Sequence, residues 1–74
     1  MRTLDFYSYG MTNEAHHERF DAILLDQGNS NWSYWLQVGT DTVWAIAHDG
    51  SGAQNHRFSS VDYWIDYYNR EHAA

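Results

Sequence analysis

The stretch 31–49, NWSYWLQVGTDTVWAIAHD, restricts the fold more than any other part of the chain. Its first half sets Trp32, Tyr34, Leu36 and Val38 on one face of an extended strand, with Ser33, Trp35 and Gln37 on the other. Its second half alternates Val43, Ala45 and Ala47 with Thr42, Trp44, Ile46 and His48, after a Gly39-Thr40-Asp41 turn. Aromatic and β-branched residues at period two around a Gly/Asp turn specify an antiparallel hairpin. A lone hairpin is barely stable in water, so the flanking segments must cover it.

The means of covering it are limited. Seventy-four residues make one domain, and a core in so short a chain supplies only about 3–5 kcal/mol. Cysteine is absent, which excludes disulfides and thiolate metal sites and leaves the compartment undefined. Aromatic mass takes their place: four Trp, six Tyr and three Phe, each able to bury roughly 150–250 Å².

On the N-terminal side, residues 3–9 alternate as a first strand, with Leu4 and Phe6 inward, Tyr7 and Tyr9 outward, and Gly10 as its stop. Residues 13–27 read as a helix. Thr12 is its N-cap, Glu14 lies in its first turn, and Gly28 ends it. Phe20, Ile23 and Leu24 form its apolar face, extended a turn earlier by His16 or His17, while Glu14, Glu18 and Asp21 form a polar stripe. Two features oppose this reading: Asp26 falls at the negative end, and 20–25 also has strand character. Helix is preferred because it accounts for both termini.

Residues 28–31 form a turn cluster and 49–55 a flexible loop. Residues 56–58 are a short third strand or simple extended chain. Ser59 or Ser60 then caps a second helix, in which Val61, Trp64, Ile65 and Tyr68 recur on one face. Trp64 is its main anchor on the hairpin, Asp62 lies in its first turn, and Asp66 is spaced to pair with Arg70. The expected fold is α+β in the order β-α-β-β-(β)-α, a small antiparallel sheet with two helices on one face.

Charge narrows the partners. Ten acids stand against four arginines, lysine is absent, and the net charge is −6 with neutral histidines. Direct nucleic-acid binding and membrane-surface binding both need cationic residues, so neither is expected. No apolar run approaches a membrane span of about 20 residues, and a cytoplasmic location is expected. A basic protein or protein complex is the partner such a field attracts.

Chemistry-bearing motifs are sparse. His16 and His17 are adjacent, His17 and Asp21 are four apart, and His48, Asp49 and His56 flank the loop. None of these has a zinc-site spacing, so no metal or other cofactor is expected. His48-Asp49-Gly50-Ser51-Gly52 has the letters of a triad, yet sequence neighbours rarely converge as a triad must. Enzymatic activity is not expected.

The remaining candidates are surface groups. Tyr63 and Tyr67 lie four apart on a flank of the second helix, and one of the sets Trp32/Tyr34 and Trp35/Trp44 must occupy the sheet face left open. Tyr and Trp dominate binding hot spots. The acids Glu14, Glu18 and Asp21 line one helix, and Asp62 and Asp66 the other. Residues four apart on a helix rise about 6 Å, near the phosphate spacing of a nucleic-acid strand. Two roles fit. One is an inhibitor of a nucleic-acid-handling complex, with acids standing in for phosphates; by size and charge it is of the kind phages direct against restriction or CRISPR systems. The other is a structural or regulatory protein that forms a homodimer through its aromatic residues.

Overall fold

The computed structural model of the chain describes residues 1–9, 14–27, 32–47 and 55–71. Among the described residues are five strands and one helix: β1 (Arg2–Tyr9), β2 (Ala15–Asp26), β3 (Trp32–Gln37), β4 (Val43–Ala47), β5 (His56–Phe58) and α1 (Val61–Glu71). The strands form one antiparallel sheet in the order β1-β2-β3-β4-β5, each paired with its sequence neighbour.

The hairpin of β3 and β4 follows the alternation of its residues. Trp32, Tyr34 and Leu36 share a face with Val43, Ala45 and Ala47, while Trp35 stands opposite Trp44 on the other. Gly39 takes a φ of +83° in the connecting turn, a conformation that side chains bearing a Cβ rarely adopt. Thr40 Oγ1 accepts from the Thr42 amide at 3.1 Å and donates to the Gln37 carbonyl at 2.9 Å, which closes the turn. The first strand also has the expected faces: Leu4 is buried, and Tyr7 and Tyr9 are exposed.

The segment 13–27 does not form the expected helix. Its described part is β2, a 12-residue strand paired along eight positions with β1 and then with β3. The described residues therefore hold one helix, not two, and are mostly strand. Partner availability explains the outcome. As a strand, β2 places Phe20 opposite Leu4 and buries Ala22 completely, and it satisfies the backbone groups of β1, which a packed helix would leave unpaired. Cross-strand polar pairs add to the register. His17 Nε2 lies 2.5 Å from Asp5 Oδ1, and Thr3 Oγ1 donates to Asp21 at 2.7 Å. The capping residues that favoured a helix, Thr12 and Gly28, lie outside the described residues.

The sheet curls into a half-barrel. Phe6 of β1 and Phe20 of β2 both reach Trp44 of β4, at ring centroid distances of 5.2 and 5.7 Å. A flat sheet would hold β1 and β4 roughly 14 Å apart. The inner face thus collects Leu4, Phe6, Phe20, Ala22, Trp35 and Ile46 into one cluster, with Trp44 beside it. A second cluster, on the outer face, packs Tyr34, Val43, Ala45 and Phe58 against Val61, Trp64, Tyr67 and Tyr68 of α1. Neither Trp32/Tyr34 nor Trp35/Trp44 remains on an open sheet face. The helix covers Tyr34, Trp32 stays half-buried beside it, and the curl of β1 and β2 covers the second pair.

Ser60 caps α1, its hydroxyl accepting from the Tyr63 amide at 3.1 Å. The stripe packed on the sheet is Val61, Trp64, Tyr67 and Tyr68, all four half-buried. Ile65, expected on that stripe, is 40% exposed. Arg70 donates from Nε to the backbone carbonyl of Asp66 at 3.3 Å, where a side-chain ion pair was expected. Among the described residues, no helix is long and apolar enough to cross a membrane.

Candidate functional site

Between α1 and the outer face of β3–β5 lies a half-open cavity of about 340 Å³. Strand alternation brings Trp32, Tyr34, Ala45, His56 and Phe58 to it from the sheet, and helical spacing brings Tyr63 and Tyr67 from α1. Arg57 also lines it, although it stands in register with Trp44, whose face is the inner one. Phe58 is the hub, with its ring centroid 5.1 Å from Tyr67, 6.0 Å from Tyr63 and 6.5 Å from Tyr34. The volume lies within the range of about 300–1,000 Å³ typical of ligand sites.

Polar contacts fix the walls. Trp32 Nε1 donates to the Tyr34 hydroxyl at 3.0 Å, so the two rings hold one another in place. The Tyr34 phenol is pushed above its ordinary pKa, first by burial; the Trp32 N–H opposes this, and the Tyr67 phenol and the Glu71 carboxylate add to it. Glu71 is exposed and does not line the cavity, whereas the cation Arg57 does. Of the helix residues at the cavity, Tyr63 lies in the first turn of α1 and Tyr67 in its middle, so the negative pole of the helix dipole, at Glu71, lies beyond the cavity.

Beside the cavity, the Tyr68 hydroxyl donates to Asp26. A register shift between Leu24 and Asp26 makes this contact. Leu24 pairs with Trp35 and Asp26 with Tyr34, so an extra residue on β2 turns Asp26 to the helix side. The Tyr68 phenol is raised in pKa by this hydrogen bond first, then by burial and by the charge of Asp26. A raised pKa means that the folded state favours the neutral phenol. Its contribution to stability is complete below the unfolded value of about 10 and is lost as pH rises from there through the folded value. Tyr68→Phe should accordingly lower the melting temperature by a constant amount from neutral pH to about pH 10, and by less above it. A decrement that stays the same above pH 10 would show that the phenol proton does not stabilise the fold.

The acids expected to act together are dispersed. Glu14 precedes β2, Glu18 points to the inner face opposite Phe6, and Asp21 points outward and accepts from Thr3. A stripe that requires helical spacing does not exist on a strand, whose successive side chains alternate between faces. Asp62 and Asp66 do share the exposed side of α1. Trp35 is only 8% exposed; its Nε1 donates to Ser33 at 2.8 Å and the Arg2 guanidinium lies over its ring. Of the residues singled out from sequence, Tyr63, Tyr67, Trp32 and Tyr34 meet at the cavity, with Asp62 and Asp66 on the same helix as the two tyrosines. His56, Arg57 and Phe58 line it as well and were not singled out. The alternation of His56 and Phe58 around Arg57 is the signal that marks His56 and Phe58.

Two further cavities lie at the ends of the inner face. One, of about 340 Å³, is lined by Ser8, His16, Glu18, Trp44, Asn55 and Arg57, and the other, of about 280 Å³, includes Arg2, Leu24 and Trp35. His16 and His17 fall on opposite faces of β2, and His17 is paired with Asp5. Among the described residues, no group of three or more His, Asp or Glu side chains is placed to hold a metal ion. His48 and Asp49 lie outside those residues. Comparison of the chain with protein-family models, curated proteins and solved structures finds no match.

Proposed function

We propose that this chain is a protein-binding module that docks a basic partner through α1 and the aromatic cavity beneath it. The observation that carries this reading is the placement of Tyr63 and Tyr67 over the cavity, with Asp62 and Asp66 exposed on the same helix. Aromatic anchors slow dissociation, and the surrounding negative field speeds encounter. Inhibition of a nucleic-acid-handling complex is one role for such a module. The net charge of −6 and the absence of lysine favour it, whereas the acids of β2 no longer contribute a phosphate-like row.

The test compares captured proteins between variants. Wild-type chain and an Asp62→Asn/Asp66→Asn variant are immobilised in lysate of the source cells at low and high salt, and retained proteins are identified by mass spectrometry. A basic partner held by the wild type, weakened by the double variant and released by salt is the expected result. Equal retention by both chains, or recovery of the chain's own copies alone at both salts, would overturn it. The second outcome would instead favour a homodimer.

A further inference from the structure

We infer that the far end of the β1–β2 ribbon is a strap held over the inner face by one side chain, Asn55. Among the described residues, the ribbon joins the rest of the sheet at one end. β2 pairs with β1 at residues 15–22 but with β3 only at residues 22–26, beside the bond from the Val38 amide to the Asp21 carbonyl. Ala22, at this junction, is completely buried. Beyond it the ribbon folds back across the inner face, where Phe6 and Phe20 seat on Trp44. Past this seat none of Tyr7, Ser8, Tyr9, Ala15, His16 and His17 is buried. The contacts of Tyr7 with His17 and of His17 with Asp5 stay within the ribbon.

Asn55 supplies the fastening to the body of the fold. Its Oδ1 accepts from the Ala47 amide of β4 at 2.8 Å, and its Nδ2 donates to the Tyr7 carbonyl of β1 at 3.4 Å. β1 and β4 are not neighbours in the sheet, so one carboxamide bridges a seam that strand pairing leaves open. The two arms are unequal. The β4 arm has an ordinary hydrogen-bond length, whereas the β1 arm is stretched and correspondingly weak. Beneath the strap lies the cavity of about 340 Å³, with Ser8, His16 and Glu18 on the ribbon side and Trp44, Asn55 and Arg57 on the other. Glu18 and Arg57 carry opposite charges, yet among the described residues no ion pair joins them, and charges held apart by solvent attract weakly. Polar walls stay hydrated when the seam parts, so opening here forfeits little apolar contact. Release of the Asn55–Tyr7 bond therefore opens this cavity while Phe6 and Phe20 keep their seat on Trp44. The strap lies apart from α1, and it does not depend on the docking reading.

NMR of the whole chain and of two Asn55 variants tests the strap. Asn55→Asp keeps an acceptor for the Ala47 amide, removes the donor to Tyr7 and sets a carboxylate against that carbonyl. Asn55→Ala removes both arms. In the wild type, nuclear Overhauser contacts are expected across the seam, from Tyr7 or Ser8 to Asn55 or Arg57. Asn55→Asp should lose them and raise relaxation dispersion at the amides of residues 7–9 and 15–17. The Ala47 amide should stay protected in that variant, and the contacts of Phe6 and Phe20 with Trp44 should remain. Asn55→Ala should lose the same cross-seam contacts and speed exchange of the Ala47 amide by about fivefold. Cross-seam contacts that are missing from the wild type, or that persist in both variants, would show that Asn55 does not fasten the ribbon. Loss of the Phe6 and Phe20 contacts together with those of the seam would show that the ribbon lifts as a whole, and the strap would be overturned.

Discussion

Trp44→Ala should leave most of the chain unfolded at room temperature. Trp44 is 5% exposed, and it is the side chain on which the curl of the sheet closes. Phe6 meets it edge-on at 5.2 Å, Phe20 stacks on it at 5.7 Å, and its Nε1 donates to Gln37 Oε1 at 2.9 Å. Truncating a buried Trp to Ala typically costs about 3–5 kcal/mol. A chain of this length has a margin of about the same size. The expected readout is a flat or strongly lowered thermal transition by near-UV circular dichroism, with loss of the dispersed aromatic NMR signals. Trp44→Phe keeps the ring contacts with Phe6 and Phe20 and loses the Gln37 bond, so it should fold with a reduced melting temperature. If Trp44→Ala melts within a few degrees of wild type, β1 and β2 do not close over β4, and the half-barrel description fails.

Much of this arrangement was legible in the residues. Alternation in 32–47 defined both faces of the central hairpin, Leu4 and Phe6 pointed inward, and Ser59 or Ser60 with Val61, Trp64 and Tyr68 marked α1, although Ile65 did not join its packed stripe. The misread segment shows where local signals stop. Residues 15–26 carry Phe20, Ile23 and Leu24 at spacings that fit a helical face, and Phe20, Ala22 and Leu24 at spacings that fit a strand. Both periods were present, and periodicity alone does not arbitrate between them. The deciding quantity was non-local: β1 needed a hydrogen-bonding neighbour, and the inner faces of Trp35 and Trp44 needed a cover. A pairing across the chain meets both needs, and no window of residues shows it.

The same distinction separates the parts of the candidate site. Tyr63 and Tyr67 could be placed together because helical spacing is a local property. Their convergence with Trp32, Tyr34 and Phe58 depends on how α1 lies across β3–β5, which follows from packing in three dimensions. The register shift that turns Asp26 toward Tyr68 was illegible for a related reason. A bulge reverses side-chain facing from one residue onward, and nothing in Leu24-Leu25-Asp26 marks it locally.

Trp64 supplies the sharpest test of how α1 is held. Its ring lies 5.5 Å from Tyr34 and 5.3 Å from Tyr68, so it joins the helix to the centre of the outer-face core. Its Nε1 is buried without a hydrogen-bond partner among the described residues. The two halves of this side chain should therefore act in opposite directions. The ring contributes apolar contact, and Trp64→Ala should cost about 3 kcal/mol or more by opening a cavity between α1 and Tyr34. The buried N–H opposes folding, because it gives up water and gains no partner among the described residues, at a cost of about 1–3 kcal/mol. Trp64→Phe removes that group while keeping an aromatic ring against Tyr34 and Tyr68. Its melting temperature should fall far less than that of Trp64→Ala, and it reaches or exceeds wild type if the lost N–H outweighs the smaller ring. Urea denaturation of the three chains measures both effects on one scale. A Phe variant as unstable as the Ala variant would mean that the indole N–H is bonded in solution and that the nitrogen, more than the ring, anchors the helix.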